Sequence, residues 1–313
     1  MTTSMLDPQD LPGLHKKNPD RYRGCLLGLA VGDAVGTSVE FSPRGRFKPL
    51  TDMIGGGPFQ LKPGQWTDDT SMALCLATSL VEKKGFDALD QMQRYLRWAR
   101  EGYLSSNGKC FDIGRTVLDA LGRFEASGEP MSGSTRGNSA GNGSLMRLAP
   151  VAMFYAPDQM LVSKYAAESS RTTHGAAECV QACQFYAGLL VRALGGETKE
   201  ELLSASQPQG ITAEKILAIA QGEYKNKTRD QIQGSGYVVE ALEAALWCFW
   251  NTNGYAEAIL AAANLGDDAD TTAAICGQIA GAFYGESGIP AAWLEKLTMR
   301  AEISALAEEL FAC

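Results

Sequence analysis

Four glycines near the start of the chain limit the folds that this sequence can adopt. They occupy positions 24, 28, 32 and 36 of the stretch GCLLGLAVGDAVG. A four-residue spacing places them on one face of a helix, where a second helix can pack with its backbone almost in contact. An interior glycine destabilises a helix by roughly 0.5–1 kcal/mol relative to alanine, so close helix packing is expected to offset that cost. The stretch GQIAGAFYG (277–285) also has glycines at four-residue intervals.

The rest of the chain also favours helices over strands. Apolar residues recur at helical spacing, as in VVEALEAALWCFW (238–250), and stretches of alternating β-branched residues are no longer than about four. Helix-compatible composition covers 20–34, 69–83, 86–101, 112–126, 160–170, 174–195, 198–206, 212–223, 236–250, 254–264, 271–284 and 290–311. No change in composition marks a linker. The sequence therefore predicts one all-α domain over 21–313, preceded by an extension over 1–20.

Composition and charge argue against several classes of protein. The net charge of −8 is spread along the chain without a lysine- or arginine-rich block, which disfavours a nucleic-acid partner. No apolar run approaches the ~18 residues that cross a membrane, and the first twenty residues lack the apolar region of a secretory signal. Eight cysteines accompany only two histidines, which makes a zinc cluster hard to build. We interpret the cysteines as reduced, mostly buried thiols of a cytoplasmic protein.

Two aspartate clusters lie near opposite ends of the chain, in WTDDTSMAL (66–74) and LGDDADTTAA (265–274). Each precedes a run of small or apolar residues, and each alone is explained as the start of a helix, where threonine and aspartate are good caps. A single helix start does not need the whole cluster. As a pair with matching threonines, the clusters favour two halves of one site, which requires a one-domain fold.

The residue types in these clusters suit hard divalent cations. Carboxylates and hydroxyls are oxygen ligands of the kind that Mg²⁺ and Mn²⁺ prefer, and consecutive side chains can converge on one point at a helix entrance. Several carboxylates this close together need cations to offset their repulsion, which indicates a dinuclear site with a bridging aspartate. A calcium loop of the EF-hand type is excluded because no glycine or distal glutamate falls in register.

Five motifs in order resemble the ADP-ribosylglycohydrolase family. They are GCLLGLAVGDAVGTSVE (24–40), WTDDTSMAL, AGNGSLMRLAPV (140–151), TTHGAAEC (172–179) and LGDDADTTAAICGQIAGAFYG (265–285). The resemblance runs from about residue 21 to residue 310. Within the family, the chain resembles in particular the branch that includes the dinitrogenase-reductase-activating glycohydrolases. It implies a compact orthogonal helical bundle with a central cleft that holds two Mg²⁺ or Mn²⁺ ions. It also implies hydrolysis that removes ADP-ribose from a modified side chain.

By position, the resemblance assigns one ligand set to Thr67, Asp68 and Asp69 and a second to Asp268, Asp270 and Thr271. It makes Asp270 the bridge between the cations and places the neighbouring Asp267 outside the ligand set. Catalytic roles fall to Asp69, Glu40 and Asp270. Glu40 matches a glutamate over the metals; its other interpretation is a solvated loop carboxylate.

The substrate-binding residues that the resemblance implies are Asp112, Gly141, Asn142, Gly143, Ser144, His174 and Tyr237. Asp112 matches an acid that contacts the substrate in the arginine-directed branch, but it also suits the cap of a helix beginning at Ile113. The loop 141–144 precedes a helix-compatible run, where free backbone N–H groups can hold a pyrophosphate. Arg147 suits either a phosphate contact or a buried ion pair.

The resulting prediction is a metal-dependent hydrolase that removes ADP-ribose from protein side chains, reversing an ADP-ribosyltransferase. Arginine is the favoured acceptor, because an acid facing a guanidinium recognises it in bidentate fashion, and serine stays open. One alternative is an immunity-type antagonist whose arm, 1–20, occludes a partner ADP-ribosyltransferase; the arm is otherwise a disordered tail. Another is a non-catalytic ADP-ribose-binding module. A dinuclear phosphoesterase is disfavoured by the shortage of histidines.

Overall fold

The computed structural model describes residues 17–313, whose main regular secondary structure is the α-helix. The helices are α1 (Pro19–Gly36), α2 (Asp68–Lys83), α3 (Ala88–Glu101), α4 (Arg115–Ser127), α5 (Ala149–Tyr155), α6 (Gln159–Arg171), α7 (Ala177–Gly195), α8 (Lys199–Leu202), α9 (Glu214–Ala220), α10 (Val238–Trp250), α11 (Tyr255–Ala263), α12 (Ala269–Tyr284), α13 (Ala291–Lys296) and α14 (Arg300–Ala312). Within 17–313 the only β pairing consists of isolated bridges. The all-α prediction is therefore confirmed.

Helix α1 starts where its sequence favours a start. The side chain of Asn18 accepts a hydrogen bond from the backbone N–H of Asp20 at 3.0 Å, and Pro19 fills the first helical position. From Gly24 to Gly36 every residue of α1 is buried. A helix that is apolar and buried all round belongs at the centre of the molecule.

The glycine face of α1 packs against α12, as the glycine spacing predicts. A Cβ added at Gly28 would lie 2.4 Å from the carbonyl oxygen of Gly277, and one at Gly32 would lie 2.2 Å from that of Ala273. Both distances are shorter than any van der Waals contact, so only glycine permits this approach. The contact places the two sequence ends of the domain side by side at its core. It also brings the first turn of α12 next to the end of α1.

The predicted helix over 290–311 is wrong in one respect, because the structure divides it into α13 and α14. The break falls at 297–299, where Met299 has a left-handed φ of 55°. The loop before α2 packs into the break: the backbone N–H of Thr298 donates to Gly64 O at 3.0 Å, and the indole N–H of Trp66 donates to Thr298 O at 3.2 Å. Neither glycine nor proline marks this break, since a tertiary contact imposes it.

Three local expectations also differ from the structure. Helix α5 was not among the predicted segments; its sequence is short and uniformly apolar, so it shows no helical period. Helix α8 covers only four residues of the predicted 198–206. Helix α4 begins at Arg115 rather than at 112 or 113, with Gly114 as its cap. The interpretation of Asp112 as a helix cap is therefore wrong.

The cysteines match their interpretation as mostly buried thiols. All eight are unpaired; six are buried, Cys110 is half-buried and Cys313 is exposed. Among residues 17–313 no helix combines the length and apolar character that a membrane span requires. The predicted extension, 1–20, and its partner-binding arm fall mostly on residues 1–16, outside the described part of the chain.

Candidate active site

The two aspartate clusters meet in the folded chain. The hydroxyl of Thr67, on the first cluster, lies 3.2 Å from Asp270 Oδ2 on the second. The hydroxyl of Thr271 lies 3.5 Å from Asp69 Oδ2. Asp69 and Asp270 are buried, with at most 1 % of their surface exposed. The clusters therefore form one buried group of oxygen atoms, built from the N-terminal ends of α2 and α12.

The clusters start helices, but their side chains do not cap them. Thr67 and Asp268 occupy the N-cap positions of α2 and α12, and neither side chain accepts a capping hydrogen bond. Both residue types normally accept such a bond. Their oxygens face the space between the helices instead. The positive ends of two helix dipoles converge on the same space, which favours negative charge there.

A third helix contributes a carboxylate that the sequence analysis missed. Asp33 on α1 is fully buried and accepts four hydrogen bonds, from the backbone N–H and the hydroxyl of both Thr67 and Thr70, at 2.6–3.1 Å. Carboxylate oxygens of Asp33, Asp69 and Asp270 lie within 4.8 Å of one another. The sequence signal for Asp33 is its position as the one charged residue within the otherwise apolar, glycine-rich stretch 24–36 of α1.

Asp270 belongs to a second group of carboxylates as well. Oxygens of Glu40, Asp112 and Asp270 lie within 4.8 Å of one another, so Asp270 is common to both groups. Glu40 is only 5 % exposed, and its interpretation as a solvated loop carboxylate is therefore wrong. Asp112 stands in a left-handed conformation, with φ of 61°.

The unpaired oxygens in these groups fit divalent cations. Asp69 Oδ1 and Glu40 Oε2 are buried and have no hydrogen-bond partner among the described residues. A buried carboxylate oxygen without a donor is destabilising, and a cation removes that cost. Hard cations prefer this all-oxygen donor set of carboxylates and threonine hydroxyls.

Burial raises the pKa values of the carboxyls in the two converging groups. Loss of hydration raises the pKa of Asp33 to about 6 and that of Asp112 to about 7. Burial also raises the pKa values of Asp69 and Asp270 well above the usual range, and neighbouring carboxylates raise them further. The site without cations therefore retains protons, and bound cations would replace those protons.

The carboxylates form one wall of a cleft of about 810 Å³. The lining includes the predicted site residues Glu40, Asp68, Asp112, Gly141, Asn142, Gly143, His174, Asp268 and Thr271. Asn142 links the two walls, because its side-chain amide donates to Asp268 Oδ2 at 2.7 Å. Thr67, Asp69 and Asp270 lie beneath this lining. Asp267, Phe41 and Gln233 also line the cleft and were not predicted as site residues.

His174 is held as a neutral hydrogen-bond donor. The buried guanidinium of Arg147 donates to Thr173 Oγ1 at 2.7 Å, which leaves the threonine proton for Nδ1 of His174 at 2.8 Å. The Nε2 atom then carries the proton and lies near Gly141 and Gly143. Burial, with the nearby Arg147 charge, lowers the pKa of His174 to about 3.

Arg147 has a structural role and is not part of an ion pair. Its guanidinium also donates to Gly143 O and lies 4.8 Å from the centre of the Tyr95 ring; no carboxylate within 17–313 pairs with it. It therefore ties the glycine loop to the helix that precedes His174.

Two predicted substrate-binding residues lie beside the cleft rather than on its surface. The Ser144 hydroxyl accepts a hydrogen bond from Ser170 at 2.9 Å beneath the glycine loop. Tyr237 pairs with Gly141 through an isolated bridge, and its hydroxyl donates to Glu178 at 2.7 Å in an adjoining hollow. Their predicted contacts with substrate stay predictions.

Together, the fold and site define an all-α protein whose central acidic cleft is suited to divalent cations and faces a glycine loop. Residues 14–313 match the ADP-ribosylglycohydrolase family. The chain belongs to this family and is an ADP-ribosylglycohydrolase.

Relatives of known name support this assignment. The chain is 49% identical over 292 residues to the ADP-ribosylarginine hydrolase Tri1 of Pseudomonas putida (strain GB-1), covering 93% of this chain and 78% of the relative. It is 46% identical over 293 residues to Tri1 of Serratia proteamaculans (strain 568), covering 93% and 79%. Identity to the ADP-ribosyl-[dinitrogen reductase] glycohydrolase of Rhodospirillum rubrum is 31% over 295 residues, covering 93% of each chain. A solved structure described as an ADP-ribosylglycohydrolase-related protein complex superimposes with a TM-score of 0.83 at 44% identity, covering 95% of this chain and 98% of the other.

Proposed function

We propose that this protein hydrolyses the bond between ADP-ribose and arginine in ADP-ribosylated proteins, with two Mg²⁺ or Mn²⁺ ions in the acidic cleft and residues 21–313 as the catalytic domain. The observation that carries the proposal is the convergence of the two aspartate clusters, with unpaired oxygens on Asp69 and Glu40. Two relatives that are 46% and 49% identical to this chain are named ADP-ribosylarginine hydrolases, which supports arginine as the acceptor.

The residues that would hold the cations are Thr67, Asp68, Asp69, Asp268, Asp270 and Thr271. Asp270 suits the bridging position because its carboxylate belongs to both groups of converging oxygens. When bound, the cations would supply Lewis acidity at the ribose hydroxyls and at the attacking water.

Glu40 is the better placed of the two candidate bases. It lines the cleft, whereas Asp69 is fully buried beneath the lining. A general base must reach the proton of the attacking water, and Glu40 has an unpaired oxygen for that purpose. Asp69 is then restricted to cation binding.

Asp112 would recognise the acceptor. Its half-buried carboxylate lines the cleft beside Glu40 and is held there by an unusual backbone conformation. A guanidinium within reach would keep Asp112 ionised and would be oriented by its two oxygens. Cleavage through an oxocarbenium-like state leaves the guanidine as the departing group, so orientation of its nitrogen directly affects the reaction.

The opposite wall of the cleft suits the phosphates of ADP-ribose. Gly141, Asn142 and Gly143 leave room for a ligand to approach the backbone, and the Nε2–H of His174 adds a donor. A Cβ at Gly143 would lie 2.8 Å from His174 Cε1, so a side chain here would displace the histidine. Neutral N–H donors stabilise an anionic pyrophosphate.

The test is release of free ADP-ribose from an ADP-ribosylarginine protein, with Mg²⁺ or Mn²⁺ against EDTA. Asp268→Ala and Asp270→Ala should each abolish release while the folded protein retains its far-ultraviolet circular dichroism. Asp230→Ala is the matched control, because Asp230 is exposed and does not line the cleft. Release that persists in EDTA, or in both cluster variants, would contradict the proposal. Release from a serine-linked substrate alone would overturn the choice of acceptor.

A further inference from the structure

Phe41 is an exposed aromatic residue in the lining of the acidic cleft. The residue directly follows Glu40, lines the cleft and is 64% exposed. Burial of a large apolar side chain usually stabilises the fold, and the exposed ring of Phe41 does not contribute in this way. The exposed position therefore requires another explanation.

The backbone at Phe41 is strained as well. Its φ is 59°, a left-handed conformation that is unfavourable for a bulky residue. Two hydrogen bonds hold this conformation: Phe41 N–H donates to Asp267 O at 2.7 Å, and Asp267 N–H donates to Ser42 O at 2.9 Å. A strained backbone conformation that neither buries the side chain nor gives it a hydrogen bond is characteristic of functional positions.

Phe41 is the first member of an aromatic row that runs toward Asp112. The rings of Phe41 and Phe59 have their centres 6.3 Å apart, and those of Phe59 and Phe111 are 5.2 Å apart. Phe111 immediately precedes Asp112. The row therefore begins and ends next to residues of one carboxylate group, that of Glu40, Asp112 and Asp270.

A planar cation matches this combination of surfaces. A guanidinium stacks on an aromatic face, and its N–H groups bind carboxylates at its edge. In ADP-ribosylarginine the sugar is attached to the guanidinium, which stays cationic.

We propose that Phe41 is a specificity residue that stacks on the guanidinium of the ADP-ribosylated arginine, with Phe59 and Phe111 supporting its ring. The inference rests on the proposed function and names the part of the protein substrate that the aromatic row recognises. An adenine ring also stacks on aromatic side chains, but it has no charge that the neighbouring carboxylates would attract. The substrate's anionic pyrophosphate is also disfavoured beside Glu40 and Asp112.

The test compares Phe41→Gly and Phe41→Ala with the wild-type protein in Mg²⁺. An ADP-ribosylarginine protein gives KM and kcat, and calorimetry gives the affinity for free ADP-ribose. KM should rise about fivefold to tenfold in both variants, the range expected for loss of a partly exposed cation–π contact. The affinity for ADP-ribose should change less than about twofold, since free ADP-ribose carries no guanidinium. The value of kcat should also change less than about twofold, since the ring contacts the guanidinium equally in the bound substrate and in the transition state.

Two further variants separate recognition from structure. Phe41→Trp should keep KM near the wild-type value, because it preserves the aromatic face. Met160→Ala on α6 removes a side chain that is 81% exposed outside the cleft and should leave KM unchanged. The melting temperature of Phe41→Gly should not fall, since glycine tolerates the left-handed conformation.

Three results would overturn the inference. An unchanged KM in both Phe41→Gly and Phe41→Ala, with normal release by the wild type, would refute the role of Phe41 and leave the proposed function intact. An equal loss of affinity for free ADP-ribose would show that the ring binds the nucleotide instead. No release by the wild-type protein would refute the proposed function and this inference together.

Discussion

Asp33 Oδ1 accepts two hydrogen bonds from Thr67, one from its backbone N–H at 2.8 Å and one from its hydroxyl at 2.9 Å. A hydroxyl has one proton, so donation to Asp33 leaves the lone pairs of Thr67 Oγ1 facing Asp69 and Asp270. Asp33 thereby orients a predicted cation ligand from a neighbouring helix, while it replaces the missing cap of α2.

Replacement of Asp33 by asparagine should weaken cation binding. The amide keeps one acceptor oxygen but turns an N–H₂ group toward the Thr67 or Thr70 donors. Loss of such a supporting partner typically lowers metal affinity by about 10- to 100-fold. Calorimetric titration with Mn²⁺ measures the effect directly, without reference to activity. Asp20→Asn, on the same helix but at the opposite end, is the control; equal affinities in the two variants would contradict this role for Asp33.

Asp270→Asn should make the cation-free protein more stable. Burial and neighbouring carboxylates raise the pKa of Asp270, so its charged form is unfavourable in the fold. A neutral amide of similar shape relieves this repulsion, by an amount on the order of 1–2 kcal/mol for a functional site of this kind. Thermal denaturation in EDTA should show a higher melting temperature than the wild type. Added Mg²⁺ should stabilise the same variant less than it stabilises the wild type. A melting temperature in EDTA below that of the wild type would contradict repulsion at Asp270.

Stability without cations should fall as the pH rises from about 4 to 7, the range between the ordinary pKa of an aspartate and the raised values of this site. Burial raises the pKa of Asp33 to about 6 and that of Asp112 to about 7. In this interval the folded protein retains protons that the unfolded chain has lost, so the free energy of unfolding decreases with pH. The steepest contribution of Asp33 is about 1.4 kcal/mol per pH unit. Urea titrations in EDTA at several pH values check the slope, and a rise in stability over this range would refute it.

Gly28→Ala should destabilise the fold far more than a typical glycine substitution. The added methyl group would lie 2.4 Å from the carbonyl oxygen of Gly277, so α1 and α12 must move apart. Overpacking of this kind costs about 1–3 kcal/mol or more. Gly122→Ala in α4 is a matched control, because nothing lies within 4 Å of its added Cβ. That variant should gain about 0.5–1 kcal/mol. Equal effects in urea denaturation would argue against close packing of α1 on α12.

The interruption at 297–299 shows where local sequence reasoning fails. Residues 290–311 have a continuous helical composition, and no glycine or proline marks the break. The hydrogen bonds of Thr298 with Gly64 and Trp66 come from a loop more than two hundred residues away in sequence. Asp33 was missed for a similar reason. Its sequence position indicates a buried helix, but its four donors belong to another helix.

The sequence by itself determined the all-α class, the glycine face of α1 and the residue types of both aspartate clusters, because these depend on local composition and spacing. It also carried the motifs that match the ADP-ribosylglycohydrolase family. Tertiary structure decided which oxygens share a point in space. The approach of α1 and α12 places Asp33 beside Asp270, and left-handed backbone at Phe41 and Asp112 turns these residues into the cleft lining. Such positions are set by packing between distant segments, and the energy that holds a strained φ comes from contacts that no local pattern records.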